Sequence, residues 1–165
     1  MKIEKWLATV GLTSAMVFTP AIIQAAQSSS STEAARLLKE MRQDARSVEY
    51  RAHVLETLSF STETPWEGHA IELRRIKENV DDMGKRLNQL QAMQATAAPS
   101  QQQAISRVTP LVQFMAGNTT DAIDYMNKHQ GGLWAEPYRQ DVNRLRSEAA
   151  TLIKTTHHPE AAAGD

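Results

Sequence analysis

Histidine is the residue type whose placement in this chain comes closest to suggesting a chemical site. His53, His69 and His129 are predicted to lie at one end of a helical structure, and imidazole nitrogens are common ligands of transition metals. Glu49 or Glu56 would add a carboxylate ligand. The simpler interpretation is that these imidazoles cap a hydrophobic core, as half-exposed His, Trp and Tyr side chains commonly do. The expected cofactor content is therefore none, with a transition metal as the alternative.

Other chemistries lack the residues that they need. The 165 residues include no cysteine, which excludes disulfides, thiol nucleophiles, iron-sulfur ligands and covalent c-type haem. A di-iron carboxylate site needs Glu three residues before His, but those positions hold Tyr50, Trp66 and Met126. Non-covalent haem held by a Met and a His stays an alternative. No phosphate-binding loop or nucleophile elbow occurs, so no enzymatic activity is predicted.

The composition favours a single ordinary globular domain. Hydrophobic residues make up 41% and charged residues 22% of the chain, and the net charge is -1. So small a net charge provides no long-range field to attract a polyanion. Nucleic acid is therefore excluded as an expected partner.

The N-terminus has the pattern of a secretory signal peptide. Lys2 and Lys5 form a positive segment, a largely apolar stretch follows over 6–23, and small residues including Ala25 provide a cleavage site. We assign 1–25 to this signal and expect a periplasmic or secreted protein without stable membrane insertion. An uncleaved membrane anchor is the alternative, although polar residues and a proline interrupt the apolar stretch.

Hydrophobic residues then recur at alternating spacings of four and three, the pattern of helices that each bury one stripe. Four helices are predicted, over 31–59, 64–96, 100–130 and 136–156. The stripe residues, in order of the helices, are Ala34, Leu38, Met41, Ala45, Val48, Ala52 and Leu55; Leu73, Ile76, Val80, Met83, Leu87, Leu90 and Met93; Ile105, Val108, Val112, Met115, Thr119, Ala122 and Met126; and Tyr138, Val142, Leu145, Ala149 and Leu152. No segment alternates with period two, so no sheet is expected.

Capping patterns indicate where three of the helices begin. Ser30 with Glu33 and Ser100 with Gln103 have the spacing of capping boxes. Pro65 suits the first helical position of the second helix.

The third helix is expected to be kinked or broken near Pro110 and Gly117, because proline removes a backbone donor and glycine weakens a helix. The folded domain is assigned to 26–158, and the small, polar residues 159–165 are expected to form a disordered tail.

Short connections between long helices predict an all-α fold, an up-down-up-down antiparallel four-helix bundle with coiled-coil-like packing. A long helical hairpin that completes its core by dimerising is the alternative. In the bundle, one end gathers most of the aromatic and imidazole side chains, namely Tyr50, His53, Phe60, Trp66, His69, Tyr125, His129, Trp134 and Tyr138.

The third helix also carries unusually little charge. Between Ser100 and Thr120 the only charged residue is Arg107. Either this helix is buried more deeply in its own bundle, or it faces a protein partner or a second copy of the chain. The predicted function is that of a non-enzymatic, periplasmic or secreted binding module. The alternative is a small metal- or haem-binding bundle that uses the histidine and aromatic end.

Overall fold

A computed structural model describes the backbone of residues 20–61 and 65–157, with side chains from residue 29 onward. The predicted signal peptide falls mainly on residues 1–19 and the predicted tail on 159–165, and both ranges lie outside the described residues.

Four α-helices account for most of the described chain. They are α1 (Pro20–Leu58), α2 (Trp66–Met93), α3 (Pro99–Lys128) and α4 (Glu136–His157), and a short 3-10 helix, Gln94–Thr96, follows α2. No strand occurs within the described residues. None of these helices combines the length and the apolar character needed to cross a bilayer. The predicted all-α fold is confirmed.

The helices form a closed ring in which each packs against the next and α4 packs back against α1. Arg51, late in α1, bonds to Glu72, early in α2, at 2.9 Å, whereas Arg86, late in α2, reaches back to Asp44 on α1 at 2.7 Å. Helices α1 and α2 therefore run antiparallel. Arg42 and Glu56 of α1 bond to Thr156 and Arg146 of α4, so α4 also runs antiparallel to α1, and Gln101 joins the start of α3 to Ser31 of α1. These directions confirm the up-down-up-down four-helix bundle. Because all four helices of one copy contribute to one core, the alternative of a hairpin that needs a second copy for its core is wrong.

Every residue of the four predicted stripes is buried in this core except Met93, which is half-buried and packs against it. The structure adds Leu37, Ala97, Ala104 and Leu133, which also lie inside. Thr119 is the one polar stripe residue, and its hydroxyl donates to the carbonyl of Met115 at 2.7 Å. The hydrogen bond within its own helix satisfies the hydroxyl, so Thr119 is accommodated among apolar neighbours.

The first helix begins earlier than predicted, at Pro20 instead of at position 31. Proline suits a first helical turn, and the alanine-rich residues 21–27 favour helix without a glycine or a further proline to interrupt it. Ser30 therefore lies inside α1 and is not an N-cap. The Ser30 hydroxyl oxygen lies 2.7 Å from the Thr96 hydroxyl oxygen, so Ser30 connects α1 to the 3-10 helix that follows α2.

The start of α3 is displaced from the predicted capping box at Ser100 and Gln103. Helix α3 begins at Pro99, and the Oε1 atom of Gln101 accepts a hydrogen bond from the backbone N–H of Ala98 at 3.1 Å. Proline preorganises the first helical position, so the glutamine three residues after the cap is Gln101 and not Gln103.

One proline lies outside the helix that it was expected to begin, and another lies inside a helix as expected without breaking it. Pro65 immediately precedes the first residue of α2, with extended backbone angles of φ -62° and ψ 138°. Pro110 lies inside α3, where it removes one backbone hydrogen bond. Helix α3 nevertheless continues through Pro110 and Gly117 to Lys128, so no break occurs there.

The assignment of inner and outer faces can be tested with two isoleucines on α2. Ile76→Ala should lower the free energy of unfolding by about 2 to 4 kcal/mol, because Ile76 is fully buried and its truncation leaves a cavity. Ile71→Ala is the matched control: Ile71 is 44% exposed, and the change should stay within about 0.5 kcal/mol. Urea unfolding followed by circular dichroism measures both, and equal losses would contradict the assigned faces.

Candidate functional site

The aromatic end of the bundle is organised around His69 and Tyr138. His69 lies on the first turns of α2 and Tyr138 on the first turn of α4, and both are fully buried. The Nδ1 atom of His69 lies 2.9 Å from the Tyr138 hydroxyl, and the two rings meet edge to face with centroids 5.5 Å apart. Burial lowers the pKa of His69 and raises the pKa of Tyr138, because an apolar environment disfavours the charged form of each. The pair is therefore neutral and directly bonded at neutral pH.

Two further rings extend this contact to the end of α3. The ring of Tyr125 lies 6.0 Å from that of Tyr138, and His129 stacks on Tyr125 with a centroid distance of 4.3 Å. The Nδ1 atom of His129 also lies 3.1 Å from the Tyr125 carbonyl oxygen, where an N–H can donate to one of the last carbonyls of the helix. The structure thus brings His69, Tyr138, Tyr125 and His129 into one row of contacts.

The three candidate metal ligands do not converge. His53 has a side chain that is 60% exposed, and its Nδ1 atom lies 3.5 Å from Glu56, whose carboxylate also accepts from Arg146 at 2.6 Å. His69 is bonded to Tyr138, and His129 is exposed at the end of α3. Among the described residues no group of three or more His, Asp or Glu side chains is placed to hold a metal ion. Instead, His69 contacts Tyr138, His129 contacts Tyr125, and His53 lies beside the Glu56 carboxylate at the surface.

The methionines that could ligate a haem fill the core. Met41, Met83 and Met115 are fully buried, and Met126 is 6% exposed. They lie on the aliphatic stripes, where the flexible thioether side chain fills gaps between helices. No feature of these positions favours ligation over packing.

A surface groove of about 310 Å³ lies between α1 and α2, but charged side chains that neutralise one another line it. Arg86 donates to Glu40 at 3.1 Å and to Asp44 at 2.7 Å, and Arg36 also pairs with Glu40. The hydrogen bond from Arg86 lowers the pKa of Glu40, whereas burial raises the pKa of Asp44 despite the same arginine. The groove is an ion-pair network that joins two helices, and no free nucleophile or acid-base pair faces it.

The outer face of α3 differs from the outer faces of the other helices. Its inner side supplies a full stripe to the core. A second stripe, with the same spacing of alternately four and three residues, is exposed to solvent. We call this second set the α3 outer stripe. It consists of Gln103, Arg107, Pro110, Phe114, Gly117 and Asp121, all of them exposed. Near its middle the Phe114 side chain is 59% exposed.

Deeper burial does not explain the low charge of α3. The six residues of the outer stripe are exposed, and α3 packs against α2 and α4 with its inner side only. The outer faces of α1 and α2 carry ion pairs instead, such as Arg36 with Glu33 and Lys77 with Asp81. The interpretation of α3 as a more deeply buried helix is therefore wrong, and its weakly charged face is open to solvent.

Phe114 is the residue that sequence analysis misses. It lies one position before the buried Met115 and two after the buried Val112, so the helical period places it off the core stripe. An aromatic residue at such a position, in a helix with few charges, is the signal that identifies it. Exposed hydrophobic residues that occur singly are common, and Phe114 differs from the others in lying on a helix segment with a single charged residue, Arg107.

No protein-family model, curated protein or solved structure matches this chain. The function is therefore inferred from the placement of the side chains, because a four-helix bundle by itself carries no particular activity.

The buried imidazole makes stability depend on pH in a defined direction. Because burial lowers the pKa of His69, the unfolded chain binds more protons at this residue than the folded chain does below about pH 6.5. The contribution of His69 to stability is present above that pH. It is lost as the pH falls from there toward the lowered pKa, by up to about 1.4 kcal/mol per pH unit.

We expect the unmodified protein to lose more free energy of unfolding between about pH 8 and about pH 5 than His69→Asn, whose amide does not titrate. Urea unfolding at the two pH values measures this difference. His53→Asn, which alters an exposed imidazole, is the control and should follow the unmodified protein. Identical losses for the unmodified protein and His69→Asn would show that His69 is not the buried, neutral group described above.

Proposed function

We propose that this protein is a non-enzymatic binding module that acts outside the cytoplasm and docks a protein surface on the α3 outer stripe. The observation that carries the proposal is the 59% exposure of Phe114 on a helix segment, 100–120, in which Arg107 is the only charged residue. The inner side of α3 already completes the core, so the fold does not require an aromatic residue on this face.

The composition of the stripe suits the centre of a protein interface. Interface centres are depleted in charged residues, and aromatic side chains there contribute much of the binding energy. Phe114 provides such an aromatic group, Pro110 and Gly117 lie one turn to either side, and the charges of Arg107 and Asp121 lie at the ends. An uncharged centre with charged ends is the usual arrangement of a docking surface.

Export would leave the described core intact. The buried residues begin at Ala34, after the cleavage position proposed near Ala25 and Ala26. Removal of residues 1–25 therefore shortens α1 at its start without truncating the hydrophobic stripe that packs against α2 and α4.

The location can be tested by expressing the full chain in a Gram-negative bacterium and measuring the intact mass of the product in each cell fraction. We expect a soluble periplasmic or secreted protein that begins at Ala26 or Gln27, because small residues end the apolar segment there. Full-length protein that stays in the membrane fraction would instead support the uncleaved anchor.

The docking surface can be tested by placing a photo-crosslinking benzoyl-phenylalanine at Phe114 in the exported protein. We expect illumination to yield a defined adduct, because the stripe is covered by a partner in the cell. The matched control has benzoyl-phenylalanine in place of Tyr50, which is 66% exposed on α1 among charged neighbours. This control should yield no adduct. Absence of any adduct specific to position 114 would refute the docking surface.

A further inference from the structure

We infer that the occupant of the α3 outer stripe is a second copy of this chain, paired α3 to α3 in antiparallel orientation about a two-fold axis at Phe114. This inference rests on the proposed docking function and specifies the partner of the same surface.

The charges of the stripe are self-complementary about Phe114. Arg107 lies seven residues before it and Asp121 seven residues after it, so each charge is about 10 Å from the centre along the helix axis. In an antiparallel pair centred on Phe114, Arg107 of each copy therefore faces Asp121 of the other. A parallel pair would place arginine against arginine and aspartate against aspartate, which like-charge repulsion disfavours.

Both charges are available for such contacts. Among the described residues, neither Arg107 nor Asp121 takes part in an ion pair, whereas Lys77 and Asp81 on the adjoining face of α2 are paired with each other at 2.6 Å. Asp121 lies close enough to Asp141 of α4 to raise the pKa of that carboxyl, after the larger effect of burial. Asp141 is itself paired with Arg144 at 3.9 Å, so Asp121 is the carboxylate at this end of the stripe that can pair with an arginine of the partner.

The shape of the stripe is self-complementary as well. A side chain on an α-helix leans toward the helix N-terminus and covers the position three to four residues before it. The ring of Phe114 should thus lie over Leu111. In the antiparallel register, Leu111 of one copy is opposite Gly117 of the other. A Cβ at Gly117 would meet nothing within 4 Å, so the missing side chain leaves space at this position, which we call the notch, for the partner's ring.

The spacing of the stripe also fits a pair of helices. Positions at alternating intervals of four and three lie along one line of a helix, so these six positions can face a second helix that crosses at a small left-handed angle. From Gln103 to Asp121 the seam is about 27 Å long. Each copy presents the same residues in the same order, as a two-fold interface requires.

The pairing predicts a charge-swap result. The purified mature protein should be a dimer by analytical ultracentrifugation. Arg107→Asp and Asp121→Arg should each raise the dimer dissociation constant about tenfold, because each creates two like-charge contacts across the axis. The double variant Arg107→Asp/Asp121→Arg should restore dimerisation to within about threefold, because both contacts are again between opposite charges. If both single variants dimerise more weakly and the double variant does not regain dimerisation, the antiparallel register is overturned.

A variant at the notch tests the same register without harming the fold. Gly117→Leu removes a glycine from a helix interior and meets no neighbour in its own chain, so the monomer should fold at least as stably. It should nevertheless weaken the dimer about tenfold or more, because the leucine occupies the space for the partner's Phe114. A Gly117→Leu protein that dimerises as well as the unmodified one would overturn the placement of Phe114 against Gly117.

The absence of cysteine in the chain allows a direct positional test. In the antiparallel pair, Phe114→Cys places two thiols beside the two-fold axis, and mild oxidation should give a covalent dimer. Tyr50→Cys is the matched control on α1 and should stay largely uncross-linked. Equal cross-linking of both variants would indicate random collision and overturn the inference.

The outcomes separate this inference from the proposed function. A photo-adduct at Phe114 with the mass of two chains, together with a dimer in ultracentrifugation, supports both. If the photo-adduct contains a different protein and the purified protein is a monomer at all concentrations, the pairing with a second copy is overturned, but the proposed docking function is supported. A monomer without any specific adduct at Phe114 refutes both.

Discussion

The burial of one aliphatic stripe from each of four helices is the interaction on which every other feature of this bundle depends. The chain contains no cysteine, so no disulfide adds to the free energy of folding. The core residues from Ala34 to Leu152 form one continuous cluster, and the ring of helices closes because α4 packs against α1 as well as α3. Net stabilities of domains are small, so a defect in any one stripe weakens the whole ring.

The stripes alone leave the diagonal pairs of helices weakly connected, and polar side chains join them at the two ends. At one end, His69 of α2 bonds to Tyr138 of α4. At the other end, Nε2 of Gln101 on α3 donates to the carbonyl of Ser31 on α1 at 2.8 Å. A buried polar group is costly unless it finds its partner, so these contacts favour the one arrangement of helices in which both are made.

The outer faces are free of this constraint, and there the helices differ from one another. On α1 and α2 the surface charges are mostly paired, as in the network of Arg86 with Glu40 and Asp44. Exposed pairs of this kind contribute little to stability but keep a helix face hydrated. The face of α3 around Phe114 lacks them. Since the core does not require this difference, it points to a function at the surface, and the positions of Arg107 and Asp121 suggest that the surface recognises itself.

What the sequence determined by itself was the helical fold and the residues of the core. Helical periodicity is a local property, so the spacing of Leu73, Ile76 and Val80 was enough to identify an inner face. The helix starts were less predictable, because capping-box spacings such as Ser30 with Glu33 also occur inside helices, and the alanine-rich segment before them extends α1 to Pro20.

The candidate sites depended on contacts between helices, which only the tertiary structure decided. Sequence placed His53, His69 and His129 at one end of the bundle, but whether they meet depends on the direction of each side chain and on partners far away in the chain, such as Tyr138 for His69. The low charge of α3 was visible in the sequence, yet it is equally compatible with a buried helix and with an exposed one. The helical period places Phe114 off the core stripe, but only the packing of α3 against α2 and α4 shows that no other helix covers it, because burial is a property of neighbours that one helix cannot specify alone.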